Sequence, residues 1–384
     1  MELFLINGRY FEYLFSLMKK KVCLISPSLG KFVKKEADYK LGGAELQILL
    51  LTRKLAELGY PTTLLVFDKQ KTKYKFENFE VLECNPEGGI IPFFHFFYRY
   101  TPKFLLALKE SDADVYIQRG ASALTGLIAL YCKLFNKKFI FMSASLHNVN
   151  FGYTSKTNMR DGKLYEYGLR NASKVLVQTN EQKNLLMETH SLESDLIKNI
   201  TMWGFDVKLD SPKEYFLWVG LIGPPKQPDV MVKLAKMLPS VKFLVIGAPR
   251  ENMEYFNKYK NEFLSLENVI FKESVSREEI HKFYEKSIAL LNTSNREGFS
   301  NTWIEGWIYH VPIISLSVNP DSIFDKFGTG IHSKTIEQMA KDIRLLNVDI
   351  DLRNKLGRSG FDYVRENHSE EKVMEKITSI IDTI

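Results

Sequence analysis

Two glutamates eight residues apart bracket the stretch Arg296-Glu297-Gly298-Phe299-Ser300-Asn301-Thr302-Trp303-Ile304-Glu305. An apolar run over 288–291 leads into it, and helical spacing begins near Asn301. Carboxylates accept hydrogen bonds from sugar and ribose hydroxyls. A helix start offers a phosphate unpaired backbone N–H groups and the positive end of a dipole. Gly298 clears a side chain from a backbone that must approach a ligand, and Ser300 or Asn301 is a natural N-cap. Loop and helix start together could hold both ends of a nucleotide sugar.

Such a loop needs a scaffold, and the chain supplies alternating strand and helix patterns. Short apolar runs predict buried strands over 21–26, 62–67, 115–118, 138–142 and 174–178, with a helix from Ala44 ending at Gly59. The alternation restarts with strands over 215–219, 242–247, 269–272, 288–291 and 312–316, and helices over 229–237, 277–286 and 301–310. This is an α/β chain of two Rossmann-like, doubly wound parallel-sheet domains facing a cleft. The domains expected are 1–208, on the acceptor side, and 209–365, for the donor, with a C-terminal helix over 366–384 that could return to the first. The polar stretch 206–213 is the expected linker.

Length and composition agree: 384 residues, 45% apolar and 26% charged, suit two globular domains. The net charge of +6 is uneven, with 28 Lys and Arg against 20 Asp and Glu in residues 1–200, and 24 against 26 beyond. A basic first half fits an anionic partner such as a lipid surface or a phosphate-bearing acceptor, or a plainly solvated surface. No nucleic-acid recognition motif accompanies the charge. Cys23, Cys84 and Cys132 read as buried thiols in a reducing, cytoplasmic setting. No apolar run reaches the roughly 18–20 residues of a membrane-spanning helix, and 1–21 lacks the pattern of a signal peptide. The aromatic run over 90–100, followed by Lys103 and Lys109, fits either a membrane interface or core packing. Asp112-Ala113-Asp114 is a D-x-D, but it precedes a strand, on the wrong edge for a sheet-top metal site, and no cofactor or metal is expected.

The Glu297 to Glu305 segment resembles the E-x7-E signature of retaining GT-B glycosyltransferases of family 4. Gly42-Gly43-Ala44-Glu45 resembles that family's glycine loop. The runs Tyr167-Gly168-Leu169-Arg170-Asn171-Ala172, Val177-Gln178-Thr179 with Gln182, Trp218-Val219-Gly220, Lys226-Gln227-Pro228, Val311-Pro312-Ile313-Ile314 and Asn319-Pro320-Asp321 extend the likeness over roughly 20–370. The resemblance implies a metal-free transferase moving a sugar from a UDP- or GDP-type donor to a glycan or lipid-linked acceptor, at the inner face of a membrane.

It also implies roles for particular residues. Glu305 would bind the donor's ribose, and Glu297 the sugar at its reacting face. The amides from Gly298 through Phe299 and Ser300 to Asn301 would take sugar hydroxyls or phosphate. Lys226 would neutralise the diphosphate, Gly42 and Gly43 would let their loop approach it, and His147 would lie near the donor sugar. The family's arginine after Trp-Val-Gly is replaced by Leu221, which removes a charge-assisted contact worth roughly 1.5–3 kcal/mol. Arg250 and Arg296 are the candidates to replace it. Asn148 stands where the family commonly has an acid. The alternatives are a nucleotide-sugar epimerase of the same fold and a donor-binding subunit with little turnover.

Overall fold

The computed structural model describes residues 19–34, 41–85, 100–209, 211–250 and 252–384. Residues 90–99 of the aromatic run, and most of the N-terminal segment, lie outside these. Of that run Tyr100 is described, and it packs edge-on against Phe67 with centroids 5.9 Å apart. The chain divides into two compact units, Met1–Val177 with Leu185–Ile197 and Met374–Ile384, and Gln178–Asn184 with Lys198–Val373. It passes into the second unit at Gln178 and again at Lys198, ahead of the polar stretch from which a linker is expected.

In the first unit the apolar runs become β1 (Val22–Ile25), β2 (Thr62–Phe67), β3 (Lys73–Phe76), β4 (Phe79–Cys84), β5 (Val115–Arg119), β6 (Lys138–Met142), β7 (Lys174–Val177) and β8 (Asp195–Leu196). They form one sheet in the order β3-β4-β2-β1-β5-β6-β7-β8. All its pairings are parallel except the β3–β4 hairpin. That hairpin is absent from the sequence reading, because β3 alternates exposed and half-buried residues and carries no apolar run. The strand order reverses between β1 and β5, which makes their carboxyl ends the place where a doubly wound sheet takes ligands. Cys23, Cys84 and Cys132 are free and buried, and desolvation raises their thiol pKa values to about 12, 11 and 12.

The second unit has the all-parallel sheet β11-β10-β9-β12-β13-β14. Its strands are β9 (Tyr215–Ile222), β10 (Phe243–Pro249), β11 (Val269–Lys272), β12 (Ser287–Asn292), β13 (Ile313–Ser315) and β14 (Gly330–His332). Both faces are covered, so alternate side chains of β9 enter two different cores. Phe216 and Trp218 pack with the helices Pro228–Met237, Met253–Leu264 and Ile336–Val348. Tyr215 and Leu217 pack with Trp303, Trp307 and Tyr363 on the other side. The order reverses between β9 and β12, and the loops after those two strands carry Lys226 and Glu297.

The helices Ala123–Leu134 and Met159–Arg170 cross at glycines. A Cβ on Gly168 would lie 2.4 Å from the Thr125 carbonyl oxygen, and one on Gly126 would lie 2.3 Å from that of Leu164. Backbone cannot retreat as a flexible side chain can. Gly168→Ala is therefore expected to destabilise the protein by about 1–3 kcal/mol, read as a lower urea midpoint; an unchanged midpoint would show that the crossing has slack.

Candidate active site

The loops at the second unit's switch point are tied to each other before any ligand arrives. Trp218 Nε1 donates to Thr293 Oγ1 at 2.9 Å, and Thr293 Oγ1 donates to the Lys226 carbonyl at 2.5 Å. The Asn295 N–H donates to the Pro225 carbonyl at 3.0 Å. Lys226, closing the short turn Pro224–Lys226, lays its stem across Gly220, where an added Cβ would stand 3.4 Å from its Cε. Its ammonium is ion-paired with Glu297 Oε1, which also accepts from Ser294 Oγ at 2.7 Å. The structure thus brings together two residues 71 positions apart in the chain, a cation suited to a diphosphate and a carboxylate suited to a sugar. Trp218, Val219, Asn292 and Thr302 line the small recess beside them.

Glu305 lies inside the helix Asn301–Ile308 and is 4% exposed. Both its oxygens are held: Arg277 Nη1 donates to Oε1 at 2.6 Å, and the Tyr284 hydroxyl donates to Oε2 at 2.7 Å. Burial, followed by the Glu305 charge, keeps the Tyr284 hydroxyl protonated well above its ordinary range. Each carboxylate oxygen has a second lone pair left for a ligand hydroxyl. Arg277 and Tyr284 are absent from the sequence reading, because a partner 28 or 21 residues away leaves no local pattern.

The intervening loop is fixed through Phe299. Its N–H donates to Gln178 Oε1 at 2.7 Å, and its carbonyl accepts from Asn199 Nδ2 at 3.0 Å. The Phe299 amide is thereby committed to the protein. Its ring is buried among Trp303, Trp307, Tyr363 and His368. Gly298 and Ser300 are buried on either side, and Ser300 precedes the helix, its hydroxyl paired with that of Thr302 at 2.9 Å. Asn301 Oδ1 accepts from Asn199 at 2.9 Å. Arg296 is exposed on the same loop. Leu221 sits half-buried in β9, opposite Ala248. Arg250, at the end of β10, lies beside the Lys226 turn; a Cβ on Gly223 would stand 3.2 Å from its Cδ.

In the first unit Gly42 precedes the helix Gly43–Glu57 in extended conformation. Glu45 folds back over it and accepts from Ser28 Oγ at 3.1 Å, and a Cβ on Gly42 would meet Glu45 Oε2 at 2.4 Å. Arg119 ends β5 at this sheet's switch point, where burial pulls its pKa down to about 10 against the opposing charge of Glu45. His147 lies in the single turn Leu146–Asn148 against Gly152, where a Cβ would stand 2.1 Å from Nδ1. Asn148 shapes that turn: its Oδ1 accepts from the N–H groups of Ala144 and Ser145 at 2.8 and 3.2 Å. Asp112 and Asp114 are engaged by lysines, Asp112 by Lys21 at 2.8 Å and Asp114 by Lys137 at 3.4 Å. The described residues contain no group of three or more His, Cys, Asp or Glu arranged to hold a metal, and no helix long and apolar enough to cross a membrane.

Two doubly wound parallel-sheet units, with a cation and two glutamates at the second sheet's switch point, make up the GT-B fold. Residues 200–362 match the family model described as Glycosyl transferases group 1. It is similar in fold to sucrose-phosphate synthase from Thermosynechococcus elongatus, with a TM-score of 0.76 and 16% identity over 94% of this chain and 98% of that one. It is also similar to HepE from Anabaena in complex with UDP and glucose, with a TM-score of 0.74 and 13% identity over 95% of this chain and 100% of that one. Over 144 residues it is 22% identical to glycosyltransferase 1 domain-containing protein 1 from Xenopus tropicalis. That match spans 37% of this chain and 41% of the relative's length.

His368 couples this site to pH. Its Nδ1 lies 2.9 Å from the Asn199 carbonyl, and burial depresses its pKa from 6.5 to about 3. Below pH 6.5 the unfolded chain binds a proton that the folded one refuses, so stability is full above 6.5 and falls as the pH drops towards 3. The expected slope is at most about 1.4 kcal/mol per pH unit. Denaturation of wild type and His368→Gln between pH 6.5 and 5, above most carboxylate titration, should show the slope in wild type and a flatter one in the variant. Equal slopes would mean that His368 protonates in place.

Proposed function

We propose that the chain transfers a sugar from a nucleoside diphosphate sugar to a glycan or lipid-linked acceptor, with retention of configuration and without a metal ion. The observation that carries this reading is the Lys226–Glu297 pair at the second unit's switch point, with Glu305 in the helix that follows. A UDP-type donor is supported by fold relatives such as HepE, determined in complex with UDP-glucose. The basic first half supports an anionic acceptor or membrane surface.

In the proposed reaction the bond from the anomeric carbon to the β-phosphate oxygen breaks. A bond from the acceptor hydroxyl oxygen to that carbon forms on the same face. The acceptor proton passes to the departing phosphate oxygen, so no protein base is consumed. Lys226 turns from Glu297 to the diphosphate and stabilises the charge that grows there. Arg250, beside the Lys226 turn, supplies the second cation that Leu221 does not. Glu297 orients the sugar, Glu305 takes the ribose hydroxyls, and the free amides at Gly298 and Ser300 take oxygens of the sugar or phosphate.

A thermal-shift series with UDP, GDP, ADP and TDP and no added metal tests the reading. One nucleotide at about 100 times its Kd should add about 2.7 kcal/mol of stability. The shift should vanish in Glu305→Ala. Because that change also strands Arg277 and Tyr284, Lys226→Gln is the companion variant, expected to weaken diphosphate binding in a folded protein. Silence towards all four nucleotides in wild type would sink the reading. Donor turned over without an acceptor, to a new sugar nucleotide, would favour an epimerase. Donor bound but never transferred or hydrolysed would favour a binding subunit. Arg250→Ala should weaken diphosphate binding about ten-fold or more; an unchanged Kd would rule Arg250 out as the second cation.

A further inference from the structure

Gln178 and Asn199 belong to no catalytic assignment above, yet both are buried, at 3% and 2% exposure. Each stands at a point where the chain passes into the second unit: Gln178 directly follows Val177, and Asn199 is the second residue after Ile197. Their side chains converge on one residue of the loop, Phe299. Gln178 Oε1 takes its N–H at 2.7 Å, and Asn199 Nδ2 gives to its carbonyl at 3.0 Å and to Asn301 Oδ1 at 2.9 Å. The Asn199 carbonyl is in turn held by His368, whose ring packs against Phe299 with centroids 4.7 Å apart.

We infer that Gln178 and Asn199 are positioning residues of the donor site, a two-armed amide clamp that fixes the Phe299 backbone so that the Gly298 and Ser300 amides face the diphosphate and sugar. This rests on the reading of the 297–305 segment as a donor site. The geometry carries it because one side-chain amide acts as acceptor and the other as donor, on the N–H and C=O of one residue. A loop held only by its aromatic ring could still rotate its peptide planes. Fixing both polar groups removes that freedom, and catalysis through fixed dipoles depends on such fixing. Packing does not require it: the Phe299 ring is already enclosed by four aromatic neighbours. The chemistry of each arm also dictates which substitution it tolerates. Glutamate at 178 keeps an acceptor for the N–H. Aspartate at 199 sets an oxygen against the Phe299 carbonyl and against Asn301 Oδ1.

The clamp serves the phosphate and sugar end of the ligand, whereas Glu305, held separately by Arg277 and Tyr284, serves the nucleoside end. Isothermal titration of the full chain with UDP and with UMP separates the two. In Gln178→Leu and in Asn199→Asp, UDP binding should weaken about ten-fold or more while UMP binding stays within about two-fold of wild type. Gln178→Glu should restore UDP binding to within about three-fold. Equal losses for UDP and UMP would reduce the clamp to general support of the fold and overturn the inference, as would unchanged UDP binding in both variants. If wild type binds neither UDP nor UMP, and GDP with GMP in their place also fails, the donor-site reading falls and takes the clamp with it.

Discussion

A carboxylate can leave water only if its charge is met by donors, and the second unit is organised around one that has left it. Glu305 is almost fully enclosed, and an unpaired ion there would cost several kcal/mol. Arg277 and Tyr284 meet that charge from the segment preceding β12. Glu305 is carried by the helix Asn301–Ile308, whose Trp303 and Trp307 are wholly buried in the core on that side of the sheet. The position of the carboxylate, the seating of the helix and the direction of its first turn are therefore one constraint. The 297–300 loop inherits its end point from it.

The other half of the site follows the opposite electrostatic logic. Lys226 and Glu297 are partly open to solvent and satisfy each other. A pair that water still reaches is held less firmly than a fully buried one, so one partner can be exchanged for a ligand. The ammonium can leave a carboxylate for a diphosphate, and the carboxylate can leave the ammonium for sugar hydroxyls. The buried pairing holds the framework while the partly open one remains exchangeable. This division suits the proposed function, in which a charged donor binds and a more highly charged product leaves.

Much of this was legible in the sequence, and the reasons differ by element. Buried parallel strands are short apolar runs, so β2 and β6 fall where the pattern puts them. Glu297, Gly298 and Glu305 stood out because a ligand loop before a helix is a local pattern, and Lys226 because a short turn after a strand is one too. The β3–β4 hairpin was invisible because an edge strand open to solvent needs no apolar run. The roles of Arg277, Tyr284, Gln178 and Asn199 were invisible for another reason: their meaning lies in partners 21 to 121 positions away, which only the folded sheet brings near. The Phe299 amide shows the same limit from the other side, since sequence grouped it with its neighbours while the fold commits it to Gln178.

Leu221 can be understood in the same terms. At the carboxyl end of β9 an arginine would add a fixed cation beside Lys226, drawing on the same Glu297 carboxylate in the empty site. Here the strand end is apolar and half-buried, and Arg250, just past the neighbouring strand β10, lies beside the Lys226 turn. Arg250 is exposed and touches the Gly223 side of the turn. It can approach a diphosphate without first being released from Glu297. Under the proposed function, a cation moved from β9 to the end of β10 stands beside the Lys226 turn and leaves the Lys226–Glu297 pair undisturbed. The cost is that an exposed side chain must be ordered as the ligand binds.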